Sequence, residues 1–135
     1  MDNASLDAQE VRRQLLETLA RLTRAWQDEE SVMLQTPLVL TDGHSLRVRL
    51  RRLPDGLVEY TDGGYTAGEL YIFARPEEEE RLKRLARAIA WQHHLEWDEG
   101  LKGRASTLEE AIAGLWRMCV AASLILGEAY ICGKR

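Results

Sequence analysis

The chain has 135 residues, 45% of them hydrophobic and 30% charged, with a formal net charge of −4. That length suits one compact domain with a sizeable core, and that composition excludes a disordered chain. The acidic balance argues against a polybasic nucleic-acid binder. The first 13 residues hold no apolar core for a signal peptide, and the apolar run "MCVAASLILG" is about half of what a bilayer requires. Cys119 and Cys132 are too few for a disulfide framework or a zinc site and read as reduced thiols of a cytosolic protein.

Residues 1–5 read as a short flexible lead-in, and the first helix follows. Asp7 is an N-cap, Glu10 completes a capping box, and Leu6 with Val11 occupies the positions of a hydrophobic staple. Val11, Leu15, Leu19, Leu22 and Trp26 then recur at helical spacing, which predicts one apolar face ending near "QDEES". A meander of three antiparallel strands comes next. "VMLQTPLVLT" carries Pro37, which belongs at an edge or a bulge. "SLRVRLRRL" alternates strictly, with Leu46, Val48 and Leu50 on one face and Arg47, Arg49 and Arg51 on the other. Turns at Thr41–His44 and Leu53–Gly56 separate the strands, and "LVEYT" is the third.

"TAGELYIFAR" suggests a short helix packed on the sheet. Pro76 opens a longer one, with Glu77 to Glu80 at its positive end and Glu77/Arg81, Glu79/Lys83 and Glu80/Arg84 as i,i+4 pairs. Leu82, Leu85, Ala86 and Ile89 form its buried stripe. "LEWDEGLKGRAS" predicts a hairpin turning at Glu99-Gly100, and Thr107 with Glu110 offers a capping box for the last helix. That helix carries Leu108, Ile112, Leu115, Cys119, Ala122 and Leu126 on one face. Its second half is apolar nearly all round, so it is either enclosed by its own domain or buried against a partner subunit, and the homodimer reading takes the second. The order α-β-β-β-(α)-α-β-β-α is a single α+β domain with an antiparallel sheet, spanning 1–135.

Three clusters could carry chemistry. Thr61-Asp62-Gly63-Gly64 ends a strand and opens a helix. Paired glycines can turn amide hydrogens toward an anion, and Asp62 could serve as an acid or a ligand. The spacing is not that of a phosphate loop, however, and a plain turn needs the same letters, as Thr41-Asp42-Gly43 illustrates. His93, His94, Glu96 and Asp98 are the only residues of metal-ligand type that cluster. Adjacent helical histidines point about 100° apart, so no metal is expected. Arg47, Arg49 and Arg51, with Arg52 beside them, could grip phosphates or a carboxylate-rich protein, or form a solvated face balanced by Glu59. No aromatic residue interleaves them, and no catalytic motif accompanies them.

"TPLVLTDGHSLRVRLRRLPDGLVEYTDGGYTAGEL" and "HHLEWDEGLKGRASTLEEAIAGLWRMC" together resemble an uncharacterised prokaryotic family found in bacteria and on mobile elements. In that family a strand ending Thr-Asp-x-Gly leads into a Leu-containing helix, and Thr61, Asp62, Gly64, Thr66 and Leu70 fit the pattern. A glycine-bearing hairpin precedes its last helix, and His94 stands where the family carries a Gly-like turn residue. The element order is also similar to that of type III secretion chaperones, which dimerise and bind an extended partner segment. Both resemblances favour a binding module over an enzyme. Together with the residue reading they give a cytosolic, non-enzymatic protein-binding module without cofactor or metal, set as a phage or mobile-element inhibitor or adaptor acting on a host or defence protein. The alternatives are a secretion-chaperone-like protein, a nucleic-acid binder using the arginine face, and a hydrolase centred on Asp62.

Overall fold

Residues 5–133 are described by a computed structural model, so residues 1–4 of the expected lead-in lie outside the described residues. The fold is α+β. The elements are α1 (Ala8–Leu22), β1 (Arg24–Asp28), β2 (Ser31–Val39), β3 (Ser45–Arg52) and β4 (Val58–Thr61). After these come α2 (Tyr65–Phe73), α3 (Glu79–Gln92), β5 (Glu96–Trp97), β6 (Leu101–Ala105) and α4 (Leu108–Gly133). All pairings are antiparallel, and the sheet order is β1-β2-β3-β4-β6-β5. The three-strand meander is therefore the centre of a six-stranded sheet, and the late hairpin adds to it through β4.

The core face follows from the alternation. Leu46, Val48 and Leu50 on β3, Val58 and Tyr60 on β4 and Leu101 on β6 are all buried. Helix α4 covers them with Ala111, Leu115, Met118, Ala122, Ile125 and Leu126. Leu82, Ala86, Ile89 and Ala90 of α3 and Leu70 of α2 join the same cluster. Tyr60 fixes how close the layers come. Its ring lies where a Cβ on either Gly103 or Gly114 would stand, so the two glycines let α4 settle onto the sheet around one aromatic wedge.

Pro37 sits where β2 and β3 lose register between Gln35 and Val39. Thr36 repairs this bulge, donating to the Leu46 carbonyl at 2.9 Å and accepting from the Leu38 amide at 3.2 Å. Pro76 opens a single 3-10 turn that runs into α3. Arg81 there takes Glu78 at 2.7 Å in place of the expected Glu77, and Lys83 takes Glu79 at 3.3 Å. Glu80 lies 3.7 Å from Lys83, an i,i+3 pairing instead of the expected one with Arg84. At the head of α4 Thr107 caps the Glu110 amide at 3.1 Å, but Glu110 reaches back to the amide of Ser106.

The N-terminal third differs most from expectation. Helix α1 stops at Leu22, and Trp26 belongs to β1, a strand the helical periodicity concealed. Thr23 closes the helix by donating its hydroxyl to the Leu19 carbonyl at 2.6 Å. Asp7 caps the Gln9 amide, yet Glu10 turns to Arg13 and no capping box closes. Leu6 and Val11 are both exposed, so the staple is open as well. No residue of α1 is buried.

Helix α4 has 26 residues and contains an 18-residue stretch with a mean hydropathy of 1.4, long and apolar enough to cross a bilayer by length and composition. Its apolar character is two-sided. One side is core, whereas Leu108, Ile112, Trp116, Val120 and Leu124 are exposed, so two residues assigned to the buried face, Leu108 and Ile112, lie outside it.

Candidate functional site

The opening of α2 is built around Asp62, which is buried at the end of β4. Its Oδ1 accepts the amides of Gly64 at 2.9 Å and Leu101 at 3.2 Å, and its Oδ2 accepts that of Thr66 at 3.1 Å. The carboxylate thus caps a helix start and staples the β5–β6 turn to it. Thr61 adds a parallel stitch, donating to the Leu101 carbonyl at 3.0 Å and accepting from Gly63 at 3.1 Å. Gly63 and Gly64 take φ of 67° and 87°, and Gly100, packed against them, takes 138°. A Cβ on Gly100 would stand 2.7 Å from Asp62 Oδ1 and 2.8 Å from Gly64 Cα.

Desolvation pushes the Asp62 carboxyl above the usual range, against hydrogen bonds from Thr66, Gly64 and Leu101 that favour the charged form. The Thr66 hydroxyl is close enough to favour ionisation, yet it is fully buried and meets no acceptor in hydrogen-bond geometry.

Beside this hub lies a cleft of about 490 Å³, lined among others by Met33, Arg47, Arg49, His44, Asp62, Gly63 and Tyr65. The chain thus brings two of its expected binding arginines to the same concavity as Asp62 and Gly63. Gly64 packs under the turn against the Glu99 carbonyl. Arg51 lies further along β3, paired with Glu59 at 3.0 Å as the balanced-face reading anticipated. Arg52 falls on the core-side parity of β3, and it donates to the Gly56 carbonyl at 3.1 Å. It belongs to the hairpin turn and not to the arginine row.

Sequence reasoning missed the wall of the cleft nearest α2. Tyr65 donates to Asp42, and its hydroxyl lies 3.1 Å from His44 Nδ1, which is itself 3.3 Å from Asp42 Oδ2. Burial alone would raise the Asp42 carboxyl. Hydrogen bonds from the Tyr65 hydroxyl and the His44 backbone and ring outweigh it, and the result is lowered. Burial and the neighbouring carboxylate push the Tyr65 phenol up, so it stays a donor at any ordinary pH. The three groups come from positions 21 and 23 residues apart, a separation no short motif encodes.

His93 ends α3 with its Nδ1 2.8 Å from the Ile89 carbonyl, and His94 takes the left-handed conformation at φ 59°, the place of a Gly-like turn residue. Among the described residues no group of three or more His, Cys, Asp or Glu is placed to hold a metal ion.

The open face of the sheet also gains a residue. Register pairs Trp26 with Met33 and Met33 with Arg49, which sets an indole beside the arginine row that looked free of aromatics. No protein-family model, curated protein or solved structure matches the chain.

Proposed function

We propose that the chain is a non-enzymatic protein-binding module that works as a homodimer. The observation that carries this reading is α1, an amphipathic helix without one buried residue. Its Val11, Leu15, Leu16 and Leu22 stand 46–56% exposed. With about half of each side chain still in water, each forgoes about 0.7–1.5 kcal/mol of burial, which association recovers.

A second apolar stripe supports self-association. Ile112, Trp116, Val120 and Leu124 recur every fourth residue along the outer side of α4 and are 43–64% exposed. Ala113, Ser123 and Gly127 lie among them and let a second backbone approach closely. Arg117 and Glu128 share one flank of that stripe. An antiparallel two-fold pairing sets each against the other's counterpart, so the face is complementary to itself. In this reading a second copy covers α4, and α1 is left for the protein that is bound.

Light scattering at high micromolar concentration is expected to return twice the chain mass of 15.4 kDa. Trp116→Glu should halve that value without loss of helical signal. A wild-type chain that runs as a monomer at that concentration ends the dimer reading. Leu15→Glu should keep the dimer mass yet lose whatever protein co-purifies from the native host. If it retains that protein, α1 is not the binding surface.

A further inference from the structure

The register of the sheet collects charge on the face away from the helices. One row across the strands reads Arg24, Gln35, Arg47. The next reads Trp26, Met33, Arg49, Thr61, Lys102, Glu96, and the third Asp28, Ser31, Arg51, Glu59, Arg104. Six cations and three carboxylates stand in these rows and Asp98 joins them beside Lys102, so the face is basic although the chain carries −4 as a whole.

The acids present do not use up the cations. Arg49 holds Asp28 at 2.9 Å, Arg51 holds Glu59 at 3.0 Å, and Lys102 holds Asp98 at 3.1 Å. Among the described residues Arg24 and Arg104 have no acidic partner, and Arg47 reaches only Gln35 Oε1 at 3.3 Å. All three are exposed. Alternate side chains on a strand recur at about 7 Å and neighbouring strands lie about 4.8 Å apart. Arg24 and Arg47 therefore stand about 10 Å apart in the first row, and Arg104 lies two strands and two rows beyond Arg47, about 17 Å from it. A repeating anion meets charges spread across the face in this way, whereas a single carboxylate meets only one of them. Trp26, 42% exposed, supplies a flat apolar surface inside that field.

We propose that this face binds single-stranded nucleic acid. Arg24, Arg47 and Arg104 take phosphates, and an unpaired base stacks on Trp26. A duplex keeps its bases stacked inside and cannot use the indole, which is why the single strand is the better fit. This site is independent of the apolar helix faces, since it lies on the sheet and draws on charge.

The test uses the full chain and a fluorescent oligothymidylate of about 15 nucleotides, read by anisotropy at several salt concentrations. Micromolar binding is expected at about 50 mM salt, weakening steeply as salt rises through counterion release. Replacing Arg24, Arg47 and Arg104 together by Gln should weaken it at least tenfold and reduce the salt slope by about 2. Trp26→Ala should weaken it about tenfold and leave the salt slope unchanged, because stacking releases no counterions. All four side chains are exposed, and a thermal melt of each variant confirms that the fold persists. The proposal is overturned by absence of binding at low salt, by a triple variant that binds as the wild type does, or by polyglutamate of equal charge binding as tightly. The last result would assign the face to an acidic protein. A duplex of the same length that binds equally well would remove the stacking role of Trp26 and with it the single-strand assignment.

Discussion

Thr-Asp-Gly occurs twice, at residues 41–43 and 61–63, and the two copies do different work. Asp42 sits at a hairpin tip. It accepts the amide of His44 two residues on, then holds the Tyr65 hydroxyl at the rim of the cleft. Asp62 sits at the mouth of the core and takes three amides from two segments 39 residues apart. The first is partly exposed and makes one bond beyond its own hairpin, to Tyr65, whereas the second is dry and joins two elements through three amides. The letters specify the bend, while the surroundings decide whether the carboxylate is a turn residue or a joint between elements.

The largest contrast should come from removing each carboxylate. Asp62→Ala leaves three amides without their acceptor and is expected to cost about 3 kcal/mol, whereas Asp42→Ala should cost about 1 kcal/mol. Urea midpoints of the two variants measure this directly. Equal losses would mean that the buried amides find other partners and that the joint is an ordinary turn.

The glycines sharpen the same contrast. Gly100→Ala would force a Cβ against Asp62 and Gly64 at a φ of 138°, so a loss of about 2 kcal/mol is expected. Gly43→Ala meets open space at a φ of 87° and should lose about 1 kcal/mol from backbone strain alone. A Gly100→Ala melting temperature no lower than that of Gly43→Ala would show that the two turns are not packed tightly together.

Titration should give the smallest effect, and with opposite signs. The lowered carboxyl of Asp42 adds stability that is present above the ordinary carboxylate range and lost as pH falls through its depressed value. The raised carboxyl of Asp62 does the reverse. Its contribution is present at low pH and is lost as pH rises through its elevated value. Between about pH 3 and 7 the stability difference between wild type and Asp42→Asn should therefore grow with pH, and that for Asp62→Asn should shrink. Slopes of the same sign for the two variants would contradict the difference in burial.

The sequence displayed whatever depended on near neighbours. The alternation of Leu46, Val48 and Leu50 with arginines defined both faces of β3, and Pro37 and Pro76 marked a bulge and a helix entry. The arginine face was visible for the same reason, since a strand repeats every two residues. Strand β1 was not visible. "RAWQD" continues the spacing of α1, and only its pairing with β2, through a turn that holds Glu29 at a φ of 57°, makes it extended. That one misplacement also hid Trp26 from the arginine row. The Asp42–His44–Tyr65 cluster was equally illegible, because it exists only once α2 docks beside the β2–β3 hairpin.

The junction of β4 with β6 has a consequence for the route by which the chain folds. Strands β1 to β4 follow one another through short turns and can pair while the rest of the chain is still loose. The bond from Thr61 to Leu101 must close a span of 40 residues, which includes both α2 and α3, before it returns any free energy. Loop-closure entropy places that junction late, after the meander and the helices. Asp62 takes part in that late step through its bond to the Leu101 amide, whereas its bonds to Gly64 and Thr66 close locally at the start of α2. The Leu101 bond is therefore the one expected to govern how fast the native state opens.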